Sequence, residues 1–158
     1  MEAVQNLMEP RSVQGKGVLL GVDQDYMAFL NSLDICVFAV GQSRRQALNI
    51  DELPELVSTC TGVEINRNNL LNVGERISNI EKAFNIRECM GRKDDTLPKS
   101  YFVEENTEFG PTGISEANFQ KMLDDYYEFR GWDKEGIPTR RKLDELGIGY
   151  IAKQIGAN

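Results

Sequence analysis

The chain has 158 residues, 41% hydrophobic and 27% charged, with no histidine, and its 18 basic against 25 acidic residues leave a net charge of -7. A chain this long can bury roughly 70% of its unfolded surface, so it can fold as one domain without disulfide or metal staples. The acidic balance and scattered Lys and Arg argue against phosphate-backbone binding, and the missing histidine excludes Ser-His, Cys-His and histidine-ligated metal chemistry within the chain.

No apolar run approaches the ~20 residues that cross a bilayer. The start, "MEAVQNLMEPRSVQGKG", has no basic region followed by an apolar core, so a cytoplasmic location is expected. Residues 1–17 read as a flexible or extended lead-in, residues 18–150 as a single helical domain, and residues 151–158 as a tail with weak helical character.

From Val18 a helical period sets in. Val18, Val22, Tyr26, Phe29 or Leu30, Leu33 and Val37 recur at spacings of three and four, as one buried stripe requires. Gly21 weakens that helix by ~1 kcal/mol relative to Ala, so packing has to hold it. "NIDELPELVSTCTG" gives a short helix with Asp51 as its cap, Pro54 early and Gly62 as its stop. "NRNNLLNVGERISNIEKAFNIREC" gives the longest helix, with Leu70, Val73, Ile77, Ile80 and Phe84 inward and Glu75, Arg76, Glu81 and Lys82 free to face water.

Residues 90–114 are rich in charge, Gly and Pro, and read as a long ordered loop of the functional or neighbour-wrapping kind. Ser115 caps the next helix, which Gly131 ends. Thr139 caps "RRKLDELG", with Leu143 and Leu146 inward and Gly147 as terminator. No segment alternates as a strand does. The expected fold is all-α, an irregular bundle of about four or five helices.

Candidate chemistry is sparse. Three cysteines at wide gaps offer no disulfide framework and no CxxC site. Cys60 and Cys89 read as buried thiols; Cys36, in "LNSLDICVF", is either another buried thiol at a helix end or one ligand of a site completed elsewhere. Asp124 and Asp125 point about 100° apart on a helix and read as a solvated face. Arg87, Arg92 and Lys93 could clamp an anion or belong to a salt-bridged loop, and Tyr101, Tyr126, Tyr127 and Trp132 read as core or partner-facing aromatics.

Four ordered blocks then carry a resemblance. "QGKGVLLGVDQDYMAFLNSLDICVF" is similar to a helix leading into a D-x-x-G-L-C motif, and "LPELVSTCTGVEI" to the short helix and turn that follow it. "LLNVGERISNIEKAFNIRECMGRKDDTLPKSYF" and "MLDDYYEFRGWDKEGIPTRRKLDELGI" complete the set. Together they resemble the C-terminal part of the tungsten-containing aldehyde:ferredoxin oxidoreductases.

That resemblance implies a C-terminal helical domain or subunit that helps enclose a tungsten or molybdenum bis-pterin and a four-iron four-sulfur cluster, and is not catalytic alone. It implies an N-terminal metal-pterin domain or subunit as partner, ferredoxin as electron acceptor of the complete enzyme, and no cofactor on the isolated chain. By position Cys36 is implied as a cluster ligand, and Asn31 and Ile35 as contacts of the pterin cofactor. Asn31 stands where the motif has an acid and Asp34 where it has glycine, a loss of charge at one position and an added side chain at the other. The C-x-x-C-x-x-x-C group that implies the other cluster ligands is absent from this sequence. The other reading is a stand-alone helical interaction module derived from that domain, without metal, whose exposed inter-domain face would favour a homo-oligomer.

Overall fold

The structure, a computed structural model, describes residues 9, 12–40, 51–103, 106–107, 110–111 and 113–157. Much of the lead-in assigned to residues 1–17 lies outside them. Helices α1 (Lys16–Ser32), α2 (Leu53–Thr61), α3 (Arg67–Arg87), α4 (Glu116–Arg130) and α5 (Arg140–Glu145) dominate, joined by short 3-10 turns at Val37–Ala39, Arg92–Asp94, Lys99–Phe102 and Gly149–Gln154. The expected all-α class is borne out. The sheet pairing described is slight: a two-residue antiparallel ladder of Asn106–Thr107 with Gly110–Pro111, and a single bridge between Trp132 and Pro138.

The helix signals at the ends of α4 and α5 act as the sequence implies. The Ser115 hydroxyl accepts from the Asn118 N–H and the Thr139 hydroxyl from the Lys142 N–H, filling backbone donors that a helix start leaves open. Gly62 and Gly131 close α2 and α4 in the left-handed conformation. Helix α2 differs at its start: it begins after Glu52, and Asp51 is not its cap but pairs with Arg67.

The chain divides into two compact units, Met1–Gly21 with Lys82–Asn158 and Val22–Glu81. In the first, Ala83, Leu143, Leu146, Ile148, Ile151, Ala152 and Ile155 form the core. Residues 149–154, where the sequence shows only weak helical character, are a 3-10 helix that feeds Ile151 and Ala152 into it. In the second, Phe29, Leu30, Val40, Leu53, Val57 and Leu70 form the core.

Two helix faces differ from the hydrophobic pattern. Val18 and Val22 are each 41% exposed, and the residues of α1 that turn inward are Gly17, Gly21, Asp25, Phe29 and Leu30. The reason is close approach. A Cβ on Gly17 would lie 2.7 Å from the Met122 carbonyl oxygen, and one on Gly21 would lie 2.5 Å from the Phe129 ring, so α1 meets α4 at its glycines. Arg130 of α4 is fully buried there, donating to the Gly21 carbonyl and the Tyr126 hydroxyl, both at 3.2 Å.

On α3, Ile80 and Phe84 face outward, and Asn79, Lys82 and Ala83 are buried instead. Lys82 is therefore not a water-facing residue. The Asn79 side chain is accommodated by donating to the Glu75 carbonyl one turn back, at 2.9 Å.

Candidate functional site

The residues singled out by position cluster at the end of α1, within the second unit. There the Ile35 N–H donates to the Leu30 carbonyl (3.4 Å) and the Asp34 N–H to the Asn31 carbonyl (3.2 Å), while Asp34 sits at φ +56°. This is the six-to-one and five-to-two pattern that ends a helix through one left-handed residue, a position glycine fills without strain. The glycine of the D-x-x-G-L-C pattern thus has a local reason, and Asp34 occupies the same conformation with an exposed carboxylate.

The turn sorts its side chains. Leu30 is fully buried and Ile35 is partly buried against the same core, which fixes the end of the helix. Asn31, Asp34 and Cys36 are exposed, followed by the exposed Val37 and Phe38. The buried-thiol reading fails at all three cysteines. Cys36 follows the helix-ending turn, Cys60 lies in the last turn of α2 beyond its inward residues Leu53, Pro54 and Val57, and Cys89 is itself a left-handed cap at the end of α3, at φ +64°.

Cys36 offers one accessible thiol, and among the described residues no three Cys, Asp or Glu side chains converge to hold a metal ion. Asn31 offers an exposed carboxamide that both donates and accepts, as a heterocycle with N–H and ring-nitrogen groups requires.

A second polar constellation lies in the first unit. Lys82 Nζ donates to Asp95 Oδ2 at 2.5 Å, and the Tyr127 hydroxyl makes a short hydrogen bond to the same oxygen. The ammonium lies 5.2 Å from the Trp132 ring centroid and 5.8 Å from that of Tyr127. Burial, then the hydrogen bond to Asp95 and its charge, push the Tyr127 phenol well above its ordinary range, with Arg92 opposing in part. A phenol held neutral in this way is a donor to Asp95 and not a base.

Arg92 fastens the same loop from outside. It pairs with Asp124 at 2.7 Å and donates to Gln120 at 2.7 Å and to the Lys134 carbonyl at 2.9 Å. The salt-bridged reading of this loop therefore holds for Arg92, and Asp124 is not merely a solvated carboxylate. Tyr127 and Trp132 are core residues, whereas Tyr101 is exposed. Periodicity gave no sign of the Lys82–Asp95–Tyr127 set, because a buried lysine and a loop carboxylate both look solvent-facing in sequence.

Among the described residues no helix is long and apolar enough to cross a membrane. Comparison with known proteins places the chain further. A sequence model described as aldehyde ferredoxin oxidoreductase, domains 2 and 3, matches residues 1–148. The tungsten-containing aldehyde ferredoxin oxidoreductase of Pyrococcus furiosus is 34% identical over 143 residues, covering 89% of this chain and 23% of that protein. The protein of the same description from Thermococcus kodakarensis is 32% identical over the same shares.

The chain thus spans about a quarter of the length of these curated relatives. In fold it is similar to a chain of the active site complex BamBC of benzoyl coenzyme A reductase, with a TM-score of 0.76, 23% identity, and coverage of 92% of this chain and 21% of that one. This helical chain belongs to the aldehyde ferredoxin oxidoreductase family, in the part that comprises its domains 2 and 3.

Proposed function

We propose that the chain closes over the cofactors of a tungsten-pterin aldehyde oxidoreductase, with the end of α1 as the contact. The observation that carries this reading is the exposure of Asn31 and Cys36 on one braced turn, at the positions where the family pattern has its acid and its cysteine. Cys36 would give one thiolate to a four-iron four-sulfur cluster, and Asn31 would hydrogen-bond the pterin beside Ile35, whose side chain steadies the turn. When bound, those groups would supply oxidation of an aldehyde to a carboxylic acid and passage of the electrons to ferredoxin.

The chain's own share is to bind, orient and exclude water. Asn31 keeps an acceptor oxygen but lacks the charge that makes such hydrogen bonds strong, so its hold on ring N–H groups is weaker than a carboxylate's. The remaining ligands and the metal-pterin domain come from the rest of the family's architecture, on the same polypeptide or a separate one.

The test is metal analysis of the native assembly that contains this chain, together with Cys36→Ala. Tungsten and iron in the assembly, with iron and the cluster's visible absorption lost in Cys36→Ala, are expected. An assembly that carries neither metal would end the cofactor reading in favour of a metal-free interaction module, and unchanged iron in Cys36→Ala would remove Cys36 from the ligand set.

A further inference from the structure

Phe38 is 82% exposed, the most exposed large hydrophobic side chain among the described residues, and the turn that carries it is braced from both sides. Ile35 is packed against the core of Phe29 and Leu30, and Val40 is only 5% exposed. The Val40 N–H closes the turn on the Val37 carbonyl at 3.2 Å. With both flanks held inward, Val37 and Phe38 are the residues turned out, immediately after the exposed Cys36. A large aromatic with few rotamers, on a backbone already fixed, loses little entropy when a partner covers it, which is the profile of an interface anchor.

What covers it is indicated by the extent of the match. The family model that fits this chain is that of domains 2 and 3, and the chain spans 23% of the Pyrococcus furiosus relative, so about three quarters of that relative's length lies outside the match. We infer that Phe38 is the apolar anchor by which this chain docks onto the remaining domain of the family, filling an apolar pocket on that domain beside Cys36. This rests on the docking reading above and adds to it the residue that supplies affinity, as distinct from the residue that supplies a thiolate.

The experiment uses the native assembly, recovered through this chain and identified by mass spectrometry as containing the family's remaining domain. Amide exchange over Val37–Val40 is compared between the assembly and the 158-residue chain alone. Protection in the assembly, and about tenfold weaker assembly for Phe38→Ala with partial rescue by Phe38→Leu, are expected. The melting temperature of the chain alone should be unchanged by Phe38→Ala. Equal exchange in the two states, or undiminished assembly of Phe38→Ala, overturns the inference while leaving the Cys36 test intact.

A melting temperature that falls on substitution would show that Phe38 packs on its own chain and would overturn it too. So would a homodimer of the chain that Phe38→Ala dissolves, because the occupant would then be a second copy. Recovery of no family domain at all removes both this inference and the reading beneath it.

Discussion

Lys82 and Asp95 are joined at 2.5 Å through a lysine side chain that is only 9% exposed, and the accepting oxygen also takes the Tyr127 hydroxyl. One carboxylate thereby pins the loop after α3 to both α3 and α4. Breaking a buried pair by removing one partner costs ~3–5 kcal/mol, and the partial exposure of Asp95 lowers that to roughly 2–3 kcal/mol for Asp95→Ala. Lys82→Met keeps the stem packing and leaves no buried cation, so it is expected to cost less. Urea unfolding of the two variants at neutral pH checks the order; an Asp95→Ala variant as stable as the parent would refute the pinning role.

The same oxygen sets a pH dependence. The folded-state pKa of Tyr127 is raised above its ordinary value of 10.0, so its contribution to stability is complete below pH 10. Above that pH the unfolded chain ionises this tyrosine while the folded chain keeps the proton, and stability falls as pH rises. Tyr127→Phe is expected to flatten that alkaline decline, at some cost in stability near neutrality. Unfolding free energies measured from pH 8 to 11 for the two proteins give the comparison, and parallel curves would contradict it.

Gly74 of α3 faces the backbone of Asp25 on α1. A Cβ there would lie 1.8 Å from the Asp25 carbonyl oxygen, and neither backbone can move aside cheaply. Gly74→Ala is expected to cost about 3 kcal/mol or prevent folding, despite the ~1 kcal/mol by which alanine favours a helix. Gly62→Ala provides the contrast: nothing lies within 4 Å of its added Cβ, so only the left-handed conformation penalises it, at about 1 kcal/mol. Thermal melting of both should separate a clash from a backbone preference.

These glycines mark where the sequence was and was not legible. Caps depend on one residue and its immediate neighbours, so Ser115, Thr139, Gly62 and Gly131 could be read directly. Faces depend on partners distant in sequence. The apolar period on α1 selected Val18 and Val22, but glycine allows the closest approach while contributing nothing to a hydrophobic pattern, so Gly17 and Gly21 turned inward. Lys82 escaped notice for the complementary reason, since its partner Asp95 lies 13 residues on in a loop without period. The position of Cys36 was legible only through resemblance, and its exposure came from the turn geometry around Asp34.

Asp34 and Cys89 both hold left-handed backbone, at φ +56° and +64°, where a side chain is strained. Cys89→Gly relieves a strain of ~1–2 kcal/mol but loosens the unfolded chain by up to ~1 kcal/mol, leaving a net gain of about 0.5 kcal/mol. Aspartate tolerates this conformation better, so Asp34→Gly is expected to change stability little, whereas Asp34→Val should destabilise by more than 1 kcal/mol. Equal effects at the two positions in chemical denaturation would argue against the left-handed caps.

The cysteines allow the position of the proposed contact to be tested without metal analysis. Cys36, Cys60 and Cys89 are all exposed, so each is expected to react with a water-soluble thiol reagent in the native chain, at rates that denaturant does not sharply increase. Substituting Cys36 by Ala should leave the labelling of Cys60 and Cys89 unchanged, because the Cys36 thiol carries no core packing. If the end of α1 is the face covered in the native assembly, Cys36 labelling should be suppressed there, and partial unfolding that releases this chain should restore it. A Cys36 thiol that reacts equally fast in both states would place the covered face elsewhere on the molecule, since a thiolate bound to a cluster or packed beneath a partner domain is not open to the reagent.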